Sequence, residues 1–330
     1  MIKESYLNKA LFLGMLLFVL IAYFLDEPFY VSLITRAAIF AIAGIGLNIA
    51  LGYGGLISLG HAVFFGLGGY SMGILASHAQ VYMPIYEGFI TINGSQSMVV
   101  AWLLAMFVSG LAAFLIGLVS LRTSGIYFIM ITLAFGQMFY FFSISWSAYG
   151  GEDGLLLYSR NHFPGLDTLN YYHFFIIVYA LLGLLLYFSH RLNHSPFGLV
   201  LNAARQTPIR VQTSGIKTMN VRLIAFVISG MITGLAGALF ADLNKFVSPT
   251  MFSWQTSGEI MVFVILGGVA RLYGPVLGAC VFILLEVFLG EISHFWHLYL
   301  GLLLLAIVLF ANGGLIGLLT KKEGDDANHG

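Results

Sequence analysis

Residues 44–73 read GIGLNIALGYGGLISLGHAVFFGLGGYSMG, too apolar for a loop and too rich in glycine for a plain helix. Glycine inside a helix costs about 1 kcal/mol relative to alanine, so the cluster Gly52, Tyr53, Gly54 and Gly55 predicts a break. Two arrangements satisfy the pattern. Small residues let membrane helices approach closely, or the helix is interrupted and its freed backbone groups line a cavity or are buried in protein. Asn48, Ser58 and His61 are the polar side chains of the stretch.

Composition places this stretch in a membrane. The 330 residues include only 14 Lys and Arg and 14 Asp and Glu, 8% charged in all, against about 25% in soluble domains. With 59% hydrophobic residues and a mean hydropathy of +0.94, polar side chains cannot cover a water-soluble globule, which excludes a soluble enzyme. Zero net charge removes the basic footprint of a nucleic-acid binder. Cys280 is the sole cysteine, which excludes an internal disulfide and a cysteine-rich metal site.

A span needs about 20 mostly apolar helical residues. Ten segments are read as membrane helices: residues 10–25, 31–51, 61–77, 98–121, 125–146, 172–190, 221–241, 258–270, 274–290 and 296–311. The expected fold is therefore all-α and polytopic. Lys3 and Lys9 precede the first segment as in a signal peptide, but Tyr23, Phe24 and Leu25 stand where small residues mark cleavage, so an uncleaved span is expected. Lys and Arg bias loops toward the cytoplasm. With the amino terminus inside, Lys3, Lys9, Arg122, Arg191, Arg205, Arg210, Lys217, Arg222, Arg271, Lys321 and Lys322 all fall inside, and only Arg160 and Lys245 outside, with Arg36 ambiguous. Both termini are expected in the cytoplasm.

Two further stretches depart from plain apolar helix. LGGVARLYGPVLGAC at residues 266–280 interrupts the eighth and ninth segments, with Pro275 suited to the first turn of a new helix. Short or Gly/Pro-interrupted segments in both halves of a chain point to a transporter's central site. The other is RLNHSPFGLVLNAARQTPIRVQTSGIKTMNVR at residues 191–222, with five basic residues and no acid. Residues 197–205 and 209–214 each suit a short helix, separated by Thr207 and Pro208 and stopped by Gly215. Such a pair on the inner membrane face suits docking to a cytoplasmic partner; a lipid-contacting basic loop is the other reading.

Several chemistries are absent. No glycine is followed by lysine, so the chain holds no phosphate-binding loop of the G-x-x-x-x-G-K-[ST] kind. Glu286 is read as the one clear acid inside a span, where ion-coupled transporters carry such groups, and is expected to be interfacial or packed. His294 and His297 lack the further ligands a metal needs. Residues 150–154, GGEDG, form an acidic turn on the outside with too few regularly spaced oxygen ligands for a calcium loop, and equally suit a seat for an external protein.

At this point the residues carry a resemblance. Residues 46–70, GGEDGL at 150–155, FGLVLNAARQTPIRVQTSGI at 197–216, AFVISGMITGLAGALFA at 225–241 and GGVARLYGPVLGA at 267–279 resemble the permease subunits of branched-chain amino acid ABC importers, a family that includes urea and amide importers. The similarity runs in order over residues 37–318. It implies a type II-like importer permease of about ten transmembrane helices with glycine-broken segments, forming a single domain over residues 1–330 with a coupling loop at 191–222 and a short tail at 321–330. It implies a bacterial inner-membrane location, a second homologous permease, two cytoplasmic P-loop ATPases that hold ATP and Mg, and an external solute-binding protein. No cofactor on this chain and no nucleic acid are implied. The coupling surface is assigned to Arg205, Thr207, Pro208, Arg210 and Gly215, although the acid of the family's Glu-Ala-Ala pattern is missing before Ala203 and Ala204. The substrate path is assigned to Asn48, Tyr53, Gly54, Gly55, Ser58 and His61. Branched-chain amino acids are the expected substrates, with urea, amides and aromatic acids as alternatives. A stand-alone secondary transporter accounts for the spans but not for the folded basic loop, and an intramembrane enzyme lacks an acid/base or metal cluster.

Overall fold

The computed structural model describes residues 4–81, 84, 93–292, 296–310 and 313–319. Its helices are α1 Glu4–Phe24, α2 Pro28–Asn48, α3 His61–Val81, α4 Met98–Ser120, α5 Ile126–Ser145, α6 Tyr171–Asn193, α7 Pro196–Gln206, α8 Pro208–Thr213, α9 Thr218–Asn244, α10 Trp254–Gly267, α11 Gly274–Ile292, α12 Trp296–Phe310 and α13 Gly314–Leu319, with two-residue strands β1 Leu155–Leu156 and β2 Phe246–Val247. Each of the ten apolar segments is a helix. The tail at 321–330 and His294 lie outside the described residues, as does the side chain of His297.

Among the described residues, six stretches are long and apolar enough to cross a membrane unaided: Pro28–Tyr53, Met98–Ser120, Ile126–Ser145, Tyr171–Asn193, Thr218–Asn244 and Gly274–Glu291. Helix α3 has the length, but glycine, serine and histidine dilute its hydropathy. Helix α10, at 14 residues, is about 21 Å long, short of a bilayer core of about 30 Å.

Burial sorts these helices into centre and rim. The most apolar window of Pro28–Tyr53 is 94% buried, against 22% for Ile126–Ser145. A helix hydrophobic all round belongs in a core, and α2 packs against α6, α9, α10 and α11. Helix α9 in turn carries α3 and α4. On the rim, Leu103, Phe107, Met130 and Phe141 stand more than half exposed. Water would penalise an apolar face of this extent; hydrocarbon is its natural solvent.

The end of the bundle away from α7 and α8 is closed by a polar knot. Strand β1 pairs antiparallel with β2, Leu155 opposite Val247, which ties the α5–α6 connection to the end of α9. Beneath it Arg160, 3% exposed, donates from Nη1 to the Thr168 carbonyl at 3.1 Å and from Nη2 to the Leu243 carbonyl at 3.3 Å, between the rings of Tyr171 and Phe174. Burial pulls this guanidinium below its ordinary pKa, an effect opposed by Tyr171 and Asp242. Asp242 Oδ1 accepts the Asn161 amide at 3.1 Å. Arg160→Ala strands two buried carbonyls, at roughly 1–3 kcal/mol each. The thermal midpoint of the detergent-solubilised protein should fall by about 5 °C or more, measured by intrinsic fluorescence; an unchanged midpoint would show that the knot does not stabilise the fold.

One sequence expectation is corrected here. Glu286 is not the only acid within the helices, since Asp242 stands in the last turn of α9 and Glu259 in α10. Glu286 itself pairs with Arg36 of α2 at 3.1 Å.

Candidate functional site

The basic loop is built by local chemistry. Ser195 caps α7, its Oγ accepting the Gly198 amide at 3.3 Å, and Pro196 takes the first turn, where its missing N–H costs nothing. Pro208 disfavours helical backbone at the residue before it, so Thr207 leaves the helical region, at φ −141°, ψ 75°, and α7 ends there. Pro208 then opens α8. Gly215, at φ +84°, closes α8 with a Schellman pair: its amide donates to the Gln212 carbonyl at 3.0 Å and the Ile216 amide to Val211 at 3.3 Å.

The loop is pinned to the bundle at three points. Arg222 of α9 donates to the Ala204 carbonyl at 2.9 Å, and Gln212 Nε2 to Thr218 Oγ1 at 3.0 Å. Arg205 donates from Nη1 to the Gly52 carbonyl. Leu201, Ala204 and Val211 face inward, whereas Arg205, Thr207, Ile209, Arg210 and Gly215 are exposed. Ile209, 74% exposed, stands between Pro208 and Arg210. The pair thus presents an apolar knob flanked by cations. Sequence reasoning missed both Ile209 and Arg222. An apolar residue at the tip of a basic loop was the available signal for Ile209; nothing local marks Arg222.

The helix break lies directly under this loop. After Asn48 the backbone widens into one π turn, Ile49–Tyr53, the Gly54 amide reaching the Ile49 carbonyl at 3.1 Å. Gly55 at φ +68° leads into a non-helical run that ends at His61, and Ser58 Oγ accepts the Gly60 amide at 3.2 Å.

The early and late breaks meet. Asn48 Nδ2 donates to the Arg271 carbonyl at 2.9 Å, and Asn48 Oδ1 accepts the Ala270 amide at 3.0 Å. One side chain thereby bonds an N–H and a C=O of the α10–α11 turn, where Ala270 sits at φ +65°. Gly52 lets the two turns touch, since a Cβ there would lie 2.8 Å from the Ala270 nitrogen. Gly52 therefore joins three parts: the π turn it belongs to, the α10–α11 turn, and Arg205 of α7.

The other assigned path residues fall into two groups. Gly54 and Gly55 line a cavity of about 460 Å³ with Arg205, Arg222 and Ile265. His61 is fully buried, its Nε2 2.7 Å from Ser229 Oγ. Ser229 Oγ also donates to the Gly46 carbonyl at 2.6 Å. Tyr53 and Ser58 are buried as well.

Residues 29–312 match the family described as "Branched-chain amino acid transport system / permease component", and the chain belongs to that family. It is 28% identical over 340 residues to the high-affinity branched-chain amino acid transport system permease protein LivM of Salmonella typhimurium, and 27% identical over the same length to that of Escherichia coli, covering in each case 96% of this chain and 76% of the relative. The autoinducer 2 import system permease protein LsrC of Photorhabdus laumondii is 28% identical over 144 residues, 41% of this chain and 43% of that protein. No solved structure shows a significant match. The chain is thus a multi-pass membrane permease.

Proposed function

We propose that this permease is the membrane-spanning, non-catalytic subunit of an ATP-driven importer in a bacterial inner membrane. It would pass branched-chain amino acids or related small solutes from an external binding protein to the cytoplasm. The observation that carries the reading is the α7–α8 pair, exposed on one side and held to the Gly52 break by Arg205 on the other. A chain with no phosphate loop of its own gains coupling to ATP through such a contact. Two cytoplasmic ATPases closing on ATP would press on Thr207, Pro208, Ile209 and Arg210. Arg205 and Arg222 would carry the displacement to Gly52, next to Leu51 of the cavity that Gly54 and Gly55 line, and to α9, whose Arg222 lines the same cavity. Asn48, Tyr53, Ser58 and His61, buried here, would reach the path as the two breaks part. Coupling of this kind requires that ATP favour one access state by a free-energy difference. Both termini, and the α7–α8 end, would face the cytoplasm.

Gentle purification of this chain from its native membrane, followed by mass spectrometry, tests the reading. A P-loop ATPase and a second permease should accompany it. Purification alone, with solute movement on an ion gradient and no ATP, would replace it by a stand-alone transporter.

A further inference from the structure

At the end of the bundle away from α7 and α8, five helices surround a second cavity of about 430 Å³, within the range of roughly 300–1,000 Å³ typical of small-molecule sites. Its floor is aromatic. Phe40 of α2 stacks on Phe65 of α3 at 5.8 Å, and Phe240 of α9 touches both at 5.3 and 5.4 Å. Its polar wall holds Arg36 of α2 and Glu259 of α10. Arg36 spends Nη2 on Glu286 and lies 5.7 Å over the Phe40 ring, and it makes no other hydrogen bond among the described residues. Glu259, exposed, makes no hydrogen bond or ion pair among them.

Arg36 and Glu286 lie in helices long and apolar enough to cross a membrane, where an ionisable side chain is costly and points to a ligand or ion path. The three charges here sum to −1, with Glu286 neutralised by Arg36 and Glu259 left over. A ligand in the cavity therefore meets both signs, the carboxylate of Glu259 and the guanidinium N–H groups of Arg36 beyond the one spent on Glu286. A zwitterion fits: an ammonium on Glu259, a carboxylate on the uncommitted guanidinium N–H groups of Arg36, and an apolar side chain on the phenylalanine floor. Arg36 is 12 residues from Asn48 along α2, about 18 Å, so this cavity lies on the far side of the bundle from the coupling contact.

We infer that the Arg36–Glu259 cavity is a binding site for α-amino acid zwitterions with apolar side chains, the first station of the permease on the side where solute arrives. The inference rests on the importer reading and adds a site to it.

The test uses the complete importer in proteoliposomes with labelled leucine. Glu259→Gln should raise the leucine concentration for half-maximal uptake at least tenfold, with the maximal rate and the co-purified ATPase retained, whereas Glu259→Asp should stay within threefold of wild type. In the unmodified complex, a leucine analogue carrying a diazirine should label peptides from residues 36–40 or 240–259, and excess leucine should suppress the labelling. Leucine uptake that Glu259→Gln leaves unchanged, or label confined to other peptides, overturns the site while the importer reading stands. A wild-type complex that moves no amino acid with ATP overturns the importer reading, and the site with it.

Discussion

In the proposed importer, replacing Arg205 and Arg210 together with glutamate should abolish ATP-driven uptake and leave the chain inserted in the membrane. Arg205 is the direct link between α7 and the helix break, donating to the Gly52 carbonyl, while its methylenes lie against Gly55, where an added Cβ would come within 2.9 Å of Cγ. A carboxylate at that position has no hydrogen to donate and faces the carbonyl with like partial charge. A hydrogen bond from a charged group is worth about 1.5–3 kcal/mol; lost from a coupling equilibrium, that is roughly a 13- to 150-fold change. Arg210 is exposed on α8, so its reversal changes the proposed docking surface without entering the core. Insertion survives because the helices themselves are untouched and Arg222 still holds α7 through Ala204. Labelled-solute uptake, normalised to membrane-embedded protein, checks this. Uptake at the wild-type rate in the double variant would remove the loop from the mechanism.

The second large effect is structural. Gly68→Val should reduce the yield of folded, detergent-stable protein at least severalfold, because α3 and α9 cross there backbone to backbone. A Cβ at Gly68 would stand 1.8 Å from the Gly234 carbonyl oxygen, and one at Gly237 would stand 1.9 Å from the Phe65 carbonyl oxygen. The neighbour in each case is backbone, which cannot rotate away. Overpacking of a dense core costs about 1–3 kcal/mol where side chains can adjust, and more is expected where two helices of 21 and 27 residues must separate. Gly258, with nothing near its Cβ position, is the control. Gly258→Ala should leave the fold intact and stabilise it by up to about 1 kcal/mol, the helix-propensity difference alone. Size-exclusion profiles of the two variants decide the matter; a normal peak for Gly68→Val would mean that the crossing can open without cost.

These glycines show where the two explanations for residues 44–73 divide. Gly68 serves close packing, and Gly52 to Gly55 mark a true interruption. Both readings were open in the sequence because glycine content is identical under either. The interruption is settled by the π turn and by Asn48 bonding across 222 residues to Ala270, a distance at which no local pattern operates.

What the sequence determined by itself was everything that rests on local chemistry. Ten apolar helical segments and a helix pair at 197–205 and 209–214, found as Pro196–Gln206 and Pro208–Thr213, follow from hydropathy and from proline and glycine, whose backbone limits act within a residue or two. Family membership was legible for the same reason, through contiguous motifs. Only the tertiary structure decided that the early and late breaks form one joint, that Arg205 reaches Gly52, and that Arg36, Glu259 and Glu286 share one corner. Those residues are brought together by helix packing, and hydrophobic packing is set by the shapes of whole helix faces, which a linear reading does not contain.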